Sequence, residues 1–138
     1  MDYPEVTFHE DGLYVSIWVG TFGSQDAVDE YLMEQYEDDR DDEPLSPFAA
    51  DVGLKFYDHD FIESNHESNL SSKGADAFAQ HSYGESFATD AWAATQRRNI
   101  DAFDTVFLLY GYNHVRYPQS TRPPRRVSFV GTFPYREK

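Results

Sequence analysis

The sequence contains no cysteine, which excludes disulfide bonds, thiolate metal ligands and a cysteine nucleophile and is typical of a reducing compartment. Long hydrophobic runs are also missing, since the longest, Val106 to Tyr110, is far too short to span a bilayer. The first residues, MDYPEVTFHEDG, lack the basic start and the apolar segment of a signal peptide. We therefore expect a cytoplasmic protein that has no membrane partner.

Basic residues are scarce: 11 lysines and arginines accompany 25 aspartates and glutamates, which gives a formal net charge of −14. Residues 1–96 hold 22 of the acidic residues and 3 of the basic ones, whereas residues 97–138 hold 3 and 8. A surface this acidic repels nucleic acids and anionic lipids and attracts basic partners. The basic C-terminal third interleaves arginines with tyrosines, as single-strand binders do. Its prolines favour a loop whose arginines neutralise the protein's own carboxylates, so we expect no nucleic-acid partner.

Hydrophobic periodicity predicts an α+β fold for the whole chain, residues 1–138, as one domain. Strands are predicted over 13–22, over Val106–Tyr110 with both faces covered, over 127–133, and over 5–9 and 54–57. Helices are predicted after Ser24, near Ser46, around 76–81 and after Ser86, and a polar surface loop over 64–75. The order of elements predicts a mainly antiparallel sheet of about four to five strands, with helices packed on one face.

A similar five-residue sequence occurs in two of the predicted strands. WVGTF occurs at 18–22 and FVGTF at 129–133. Two copies of five residues do not make a repeat protein. We interpret them as neighbouring strands that both require a glycine, at a bulge or where a helix crosses closely.

Residues 56–67, FYDHDFIESNHE, concentrate four carboxylates and two histidines. A metal-dependent enzyme that uses Asp58, Asp60 and Glu63 is one interpretation. On a helix, however, His59 and His66 would lie about 10 Å apart, too far to share one zinc ion. A calcium loop would need glycine where Glu63 stands. We therefore predict no bound metal.

Motifs of catalysis are missing as well. The chain has no nucleophile elbow, no phosphate-binding glycine loop and no zinc-protease motif. All five histidines stand among predicted loop or edge residues, and we interpret them as solvated surface side chains. We expect a protein that is not an enzyme, has no catalytic residue and uses no cofactor.

Protein recognition is the remaining class, because aromatic residues beside carboxylates are typical of protein-binding surfaces. Trp18 and Trp92 are interpreted as core residues. Two acidic surfaces are candidates for partner binding. The first follows the first helix and contains Asp38, Asp39, Asp41 and Asp42, and the second contains Tyr57, Asp58, Asp60 and Glu63. We expect the first to raise the association rate and the second, which lies beside aromatic residues, to control dissociation.

Four segments together resemble the bacterial immunity protein 22 family of polymorphic toxin systems. They are VSIWVGTF, SQDAVDEYL, SPFAADVGLKFYDHDFIE and YGESF, in this order, and the similarity spans nearly the whole chain. The resemblance implies a small, cytosolic, non-enzymatic protein that neutralises a cognate toxin, often a nuclease. The acidic run Glu37–Glu43 is longer than the family pattern leads us to expect.

Charge and resemblance agree, because a nuclease binds a polyanion and therefore has a basic cleft. An acidic protein can occupy such a cleft by placing carboxylates where phosphates would lie. We expect the partner to be a basic toxin domain of the nuclease type. A generic acidic α+β protein-binding domain of housekeeping type remains the alternative, and the oligomeric state stays open.

Overall fold

The computed structural model describes residues 13–33, 46–52, 61–111 and 126–136. The strands are β1 (Tyr14–Gly20), β2 (Ile62–His66), β3 (Thr105–Tyr110) and β4 (Val127–Pro134). The helices are α1 (Gln25–Leu32), α2 (Pro47–Val52), α3 (Asp76–Ala79) and α4 (Ala88–Arg97), with short 3-10 helices at Leu70–Lys73 and Gly84–Ser86. The strands predicted over 5–9 and 54–57 lie outside the described residues.

The four strands form one sheet in the order β2-β3-β1-β4, and every pair in it is antiparallel. The α+β class and the antiparallel sheet are thereby confirmed. All six residues of β3 are buried, because β1 and β2 pair with its two edges and both of its faces are covered. The interpretation of this run as a central, doubly covered strand is confirmed.

Helices cover both faces of the sheet rather than one, which corrects the expected layer arrangement. Val15, Ile17 and Val19 of β1 pack with residues of α3 and α4, in what we name the α3/α4 core. Trp18 on the opposite face packs with residues of α1 and α2, in the α1/α2 core. The physical reason is that β1 and β3 carry apolar side chains at successive positions, and each face needs its own cover. The prediction of a core position is confirmed for the fully buried Trp18, whereas Trp92 is partly buried and packs against the α3/α4 core.

Two serines begin helices as the sequence predicts. The Ser24 Oγ accepts a hydrogen bond from the Ala27 N at 3.1 Å, and the Ser46 Oγ accepts one from the Ala49 N at 3.0 Å. Each hydroxyl thereby satisfies one backbone N–H that the first helical turn leaves unpaired.

WVGTF and FVGTF lie on neighbouring strands with a bulge between them, as predicted. β1 and β4 are neighbours, and their register shifts between Ile17 and Trp18. Gly131 at this bulge has a φ of +157°, and a Cβ on Gly20 would lie 2.8 Å from the Arg126 carbonyl oxygen. Both glycines are therefore required by backbone geometry.

The prediction of a loop over 64–75 is wrong for its first part. Ser64, Asn65 and His66 belong to β2, which pairs with β3 from Ile62↔Leu109 to His66↔Thr105. The composition IESNH carries little strand signal by itself. It forms a strand because the exposed backbone edge of β3 offers hydrogen bonds, and at a sheet edge polar side chains can remain partly solvated.

Candidate functional site

Glu63 is the one partner-binding candidate that falls within the described residues. Its carboxylate reaches the turn after α3, where it accepts hydrogen bonds from the Ser82 N at 3.1 Å and from the Ser82 hydroxyl. The His81 Nδ1 lies 3.2 Å from the same carboxylate. Partial burial acts to raise the pKa of Glu63, but the hydrogen bonds from Ser82 and His81 outweigh it and hold the pKa below its usual value. Glu63 is therefore an ionised, positioned carboxylate that is 33% exposed.

The other seven candidates stay predictions because they lie outside the described residues. They are Tyr57, Asp58 and Asp60, which precede β2, and Asp38, Asp39, Asp41 and Asp42, which follow α1. In the part of the chain that the structure describes, no group of three or more histidines and carboxylates is placed to hold a metal ion. Glu63 itself is already held by Ser82 and His81.

Two histidines differ from the expected solvated side chains. The side chains of His66 and His81 are only 13% and 6% exposed. His66 pairs with the first residue of β3, where its Nδ1 lies 3.2 Å from the Thr105 Oγ1, and His81 lies under the Glu63 carboxylate. The sequence places both in polar surroundings, but sheet pairing and the turn after α3 bury them. His9, His59 and His114 lie outside the described residues.

The position of the His81 proton is set by its hydrogen-bond partner, Glu63. An ionised carboxylate only accepts hydrogen bonds, so the proton of His81 lies on Nδ1 and is donated to Glu63. Burial lowers the pKa of His81, and the opposing effect of Glu63 is smaller. The neutral ring then leaves an acceptor lone pair on Nε2. This atom is buried and has no hydrogen-bond partner among the described residues.

Three tyrosines lie next to this network, and we name them the tyrosine cluster. Tyr83 stacks on Tyr135 with 5.4 Å between ring centroids and 16° between planes, and Tyr110 meets Tyr135 edge-on at 5.2 Å. The Tyr110 hydroxyl donates to the Ser82 carbonyl at 2.6 Å, and burial raises the pKa of Tyr110, so it remains a donor. The cluster is thus tied to the turn that holds Glu63.

Tyr83 has a strained backbone and an exposed side chain. Its backbone is left-handed, with a φ of 57° and a ψ of 17°, and its side chain is 44% exposed. A bulky residue in this region is a genuine outlier, and such strain is concentrated at functional sites. The following residue, Gly84, is buried so tightly that a Cβ would lie 2.7 Å from the Ala79 carbonyl oxygen. This close crossing of the chain forces the turn that presents Tyr83.

A surface cavity of about 430 Å³ lies beside Tyr83. Its lining includes His81, Tyr83, Glu85, Ser86 and Arg136. We name it the Tyr83 pocket. In the sequence these residues do not stand out as a site, although YGESF, with its tyrosine before a glycine, is a local signal for it.

The second surface is one face of α1. Asp26, Asp29, Glu30 and Met33 follow at the spacing of a single helix face, and all four are exposed. Val28 and Tyr31 on the other side are buried in the α1/α2 core. We name these four residues the α1 acidic face. The chain then continues into the acidic run Glu37–Glu43, which is outside the described residues.

Not every carboxylate is available to a partner. Asp104 accepts hydrogen bonds from the Phe22 N and the Gly23 N, both at 2.9 Å, and from the Thr105 Oγ1 at 2.7 Å. Partial burial acts to raise the pKa of Asp104, but these hydrogen bonds hold it below its usual value. Asp104 therefore joins the start of β3 to the turn after β1 and has a structural role.

The structure is an antiparallel α+β fold whose surface carries an acidic helix face and a cluster of tyrosines beside a positioned carboxylate. A family model described as Immunity protein 22 matches residues 15–136, and the chain belongs to this family. The resemblance noted in the sequence is thereby confirmed. The family indicates an antidote to a toxin, and hence a protein that binds a cognate toxin protein.

No curated protein and no solved structure matches the chain. Across the described residues, no helix is both long and apolar enough to cross a membrane.

Proposed function

We propose that this protein neutralises a basic toxin domain of the nuclease type by binding it through acidic surfaces, without catalysis and without a cofactor. The observation that carries the proposal is the excess of acids, 25 against 11 bases, in a chain that belongs to an immunity family. A nuclease must bind the phosphates of its substrate, so its cleft is basic. Carboxylates placed over that cleft compete with the phosphates.

The α1 acidic face is proposed to guide the encounter. Its three carboxylates are exposed, so they act on the partner through solvent and at long range. We propose that Asp38, Asp39, Asp41 and Asp42, which follow in the chain, extend the same negative field. Interactions of this kind raise the association rate and weaken as salt is added, because the Debye length shortens.

We propose that Glu63 and the residues that precede β2 control the dissociation of the toxin. Glu63 is fixed by His81 and Ser82, and Tyr57, Asp58 and Asp60 precede it within six residues. Positioned carboxylates beside aromatic residues lose little side-chain entropy when they become buried at an interface. Truncation of one desolvated carboxylate, Asp58→Ala or Asp60→Ala, should cost about 2–5 kcal/mol of binding free energy, mostly through faster dissociation.

The decisive experiment uses the cognate toxin domain. Its cleavage of a labelled DNA and a labelled RNA is measured while the purified protein is added. We expect inhibition that is complete at a one-to-one ratio. A toxin that binds but cleaves neither nucleic acid would overturn the nuclease assignment, and a toxin that does not bind would overturn the proposal.

Binding kinetics at two salt concentrations then separate the two surfaces. The triple variant Asp26→Asn, Asp29→Asn, Glu30→Gln should lower the association rate at low salt and leave the dissociation rate unchanged. Its matched control is Asp76→Asn, Asp90→Asn, Asp101→Asn, which removes three exposed charges elsewhere. Like Asp26 in the test variant, Asp76 and Asp90 lie in the first turn of a helix. Equal association rates for the two triple variants would exclude the α1 acidic face as the guiding surface.

A further inference from the structure

The wall of the Tyr83 pocket is rigid before any partner arrives. Stacking on Tyr135 holds the ring of Tyr83, and Tyr110 fixes Tyr135 from the side. The backbone is closed by hydrogen bonds from the Gly84 N to the His81 carbonyl at 2.8 Å and from the Ser86 N to the Tyr83 carbonyl at 3.1 Å. A side chain that binds here therefore pays little ordering entropy on this side of the interface.

The polar groups of the pocket mainly require hydrogen-bond donors. The Nε2 of neutral His81 is a buried acceptor without a partner in the described structure, and Glu85 adds an exposed carboxylate. A buried acceptor that stays unpaired costs free energy, and in native proteins such a group is usually satisfied by a water or a ligand.

The donors of the lining are largely committed. The Ser86 hydroxyl donates to the Tyr83 carbonyl at 2.7 Å and accepts from the Arg136 N at 3.0 Å, so it has no proton to offer an anion. Among the described residues that line the pocket, Arg136 is the one with a permanent positive charge, and Glu85 opposes it. The net charge of −14 adds a negative field over the whole surface. A carboxylate ligand is disfavoured on each of these grounds.

A cationic side chain fits the remaining features. The exposed part of the Tyr83 ring attracts an ammonium or guanidinium group, and Glu85 attracts it through charge. The volume of about 430 Å³ falls within the usual range of ligand pockets, roughly 300–1,000 Å³. A strained, exposed tyrosine next to a polar pocket also has the character of an interface hot spot.

We propose that the Tyr83 pocket receives a lysine or arginine side chain of the cognate toxin, which packs against Tyr83 beside the His81 ring and pairs with the Glu85 carboxylate. This inference rests on the proposed function, since it names the contact that fixes the toxin. Tyr83 is the anchor, and Glu63 positions His81 from the opposite side of the ring.

The test compares substitutions that keep the fold. Tyr83→Gly removes the ring and its stacking on Tyr135, but it supplies the residue that best tolerates a left-handed backbone, so these two effects should largely offset each other and the melting temperature should change little. It should weaken toxin affinity about tenfold or more, through faster dissociation, as loss of a hot spot does. Tyr83→Phe keeps the ring and should remain within about twofold of the unaltered protein.

Charge is tested with a matched pair. Glu85→Gln should weaken affinity by about two- to fivefold, as expected for one partly exposed ion pair, whereas Asp90→Asn, an exposed acid on α4, should not. The imidazole ¹⁵N spectrum of His81 gives a direct readout. Its Nε2 resonance should shift when unlabelled toxin is added, and Nδ1 should keep its proton.

Failure of this inference is distinguishable from failure of the proposed function. If the unaltered protein binds and inhibits the toxin while Tyr83→Gly binds equally well, the pocket is not part of the interface and only this inference falls. An unchanged His81 Nε2 resonance in the saturated complex would likewise overturn it. If the unaltered protein does not bind the toxin, both fall together.

Discussion

At the scale of single residues, the stability of the fold depends on the protonation of His81, which lies beside Glu63 and Ser82. The pKa of His81 is lowered below its usual value of 6.5 by burial, which outweighs the attraction of Glu63. Below pH 6.5 the unfolded chain therefore binds more protons at this position than the folded protein does. By linkage, the free energy of unfolding decreases as pH falls through this range, because protons favour the state that binds more of them.

We predict that the unfolding free energy falls between pH 7.5 and pH 5.5, and that His81→Gln flattens this fall. A glutamine amide can still donate to Glu63 but does not titrate. Urea unfolding at several pH values measures the difference between the two proteins. A variant whose pH profile is parallel to that of the unaltered protein would show that His81 is not the titrating group.

The carboxylates act over a lower pH range. The pKa of Glu63 is below its usual value of 4.5, and that of Glu67 is lowered to about 2, mainly by the hydrogen bond from Lys73. Groups with a lowered pKa contribute stability above pH 4.5 that is lost as the pH falls through the folded value. Acid unfolding should therefore continue below the range in which His81 acts.

At the scale of elements, β3 is the strand on which the others depend. It pairs with β1 on one edge and β2 on the other, and its alternate side chains enter both cores. α1, by contrast, packs through one side alone and exposes its acids. The molecule thus separates a buried scaffold from the helix face that we propose for binding.

We predict that the amides of β3 are among the slowest to exchange with solvent, and that Leu108→Ala lowers stability by about 2–5 kcal/mol. Leu108 is fully buried, so the truncation removes apolar contacts and leaves a cavity. Ser128→Ala, at an exposed position on β4, is the control and should change little. Early exchange of β3 would contradict the architecture.

At the scale of the whole molecule, a net charge of −14 acts on folding and on binding in opposite ways. Repulsion among the acids destabilises the compact state, and salt screens this repulsion. Attraction to a basic toxin favours association, and salt screens that as well. The same ions should therefore strengthen the fold and weaken the complex.

We predict that raising sodium chloride from about 0.05 M to 0.5 M increases the melting temperature and decreases toxin affinity. Thermal unfolding and binding kinetics on the same preparations measure both quantities. The triple variant Asp26→Asn, Asp29→Asn, Glu30→Gln should respond less to salt in both assays. A melting temperature that falls with salt would show that stabilising ion pairs outweigh the repulsion.

The sequence alone was sufficient to predict the local features of this protein. Ser24 and Ser46 cap helices because a hydroxyl before a helical turn satisfies a nearby N–H. β3 follows from one unbroken apolar run, and the acidity of the surface follows from composition. The family resemblance also required only the order of segments along the chain. Each of these depends on residues that are close in sequence or on their sum.

Only the tertiary structure decided the remaining features. β2 is a strand because its backbone pairs with the edge of β3. Helices cover both faces of the sheet because both faces carry apolar side chains. The Tyr83 pocket brings together the turn after α3 and Arg136, and Glu63 of β2 holds the same turn through Ser82. The stacked Tyr83 and Tyr135 come from positions far apart in the chain. Such contacts cannot be predicted from a local sequence pattern, because burial, pKa shifts and backbone strain arise only when distant segments pack against one another.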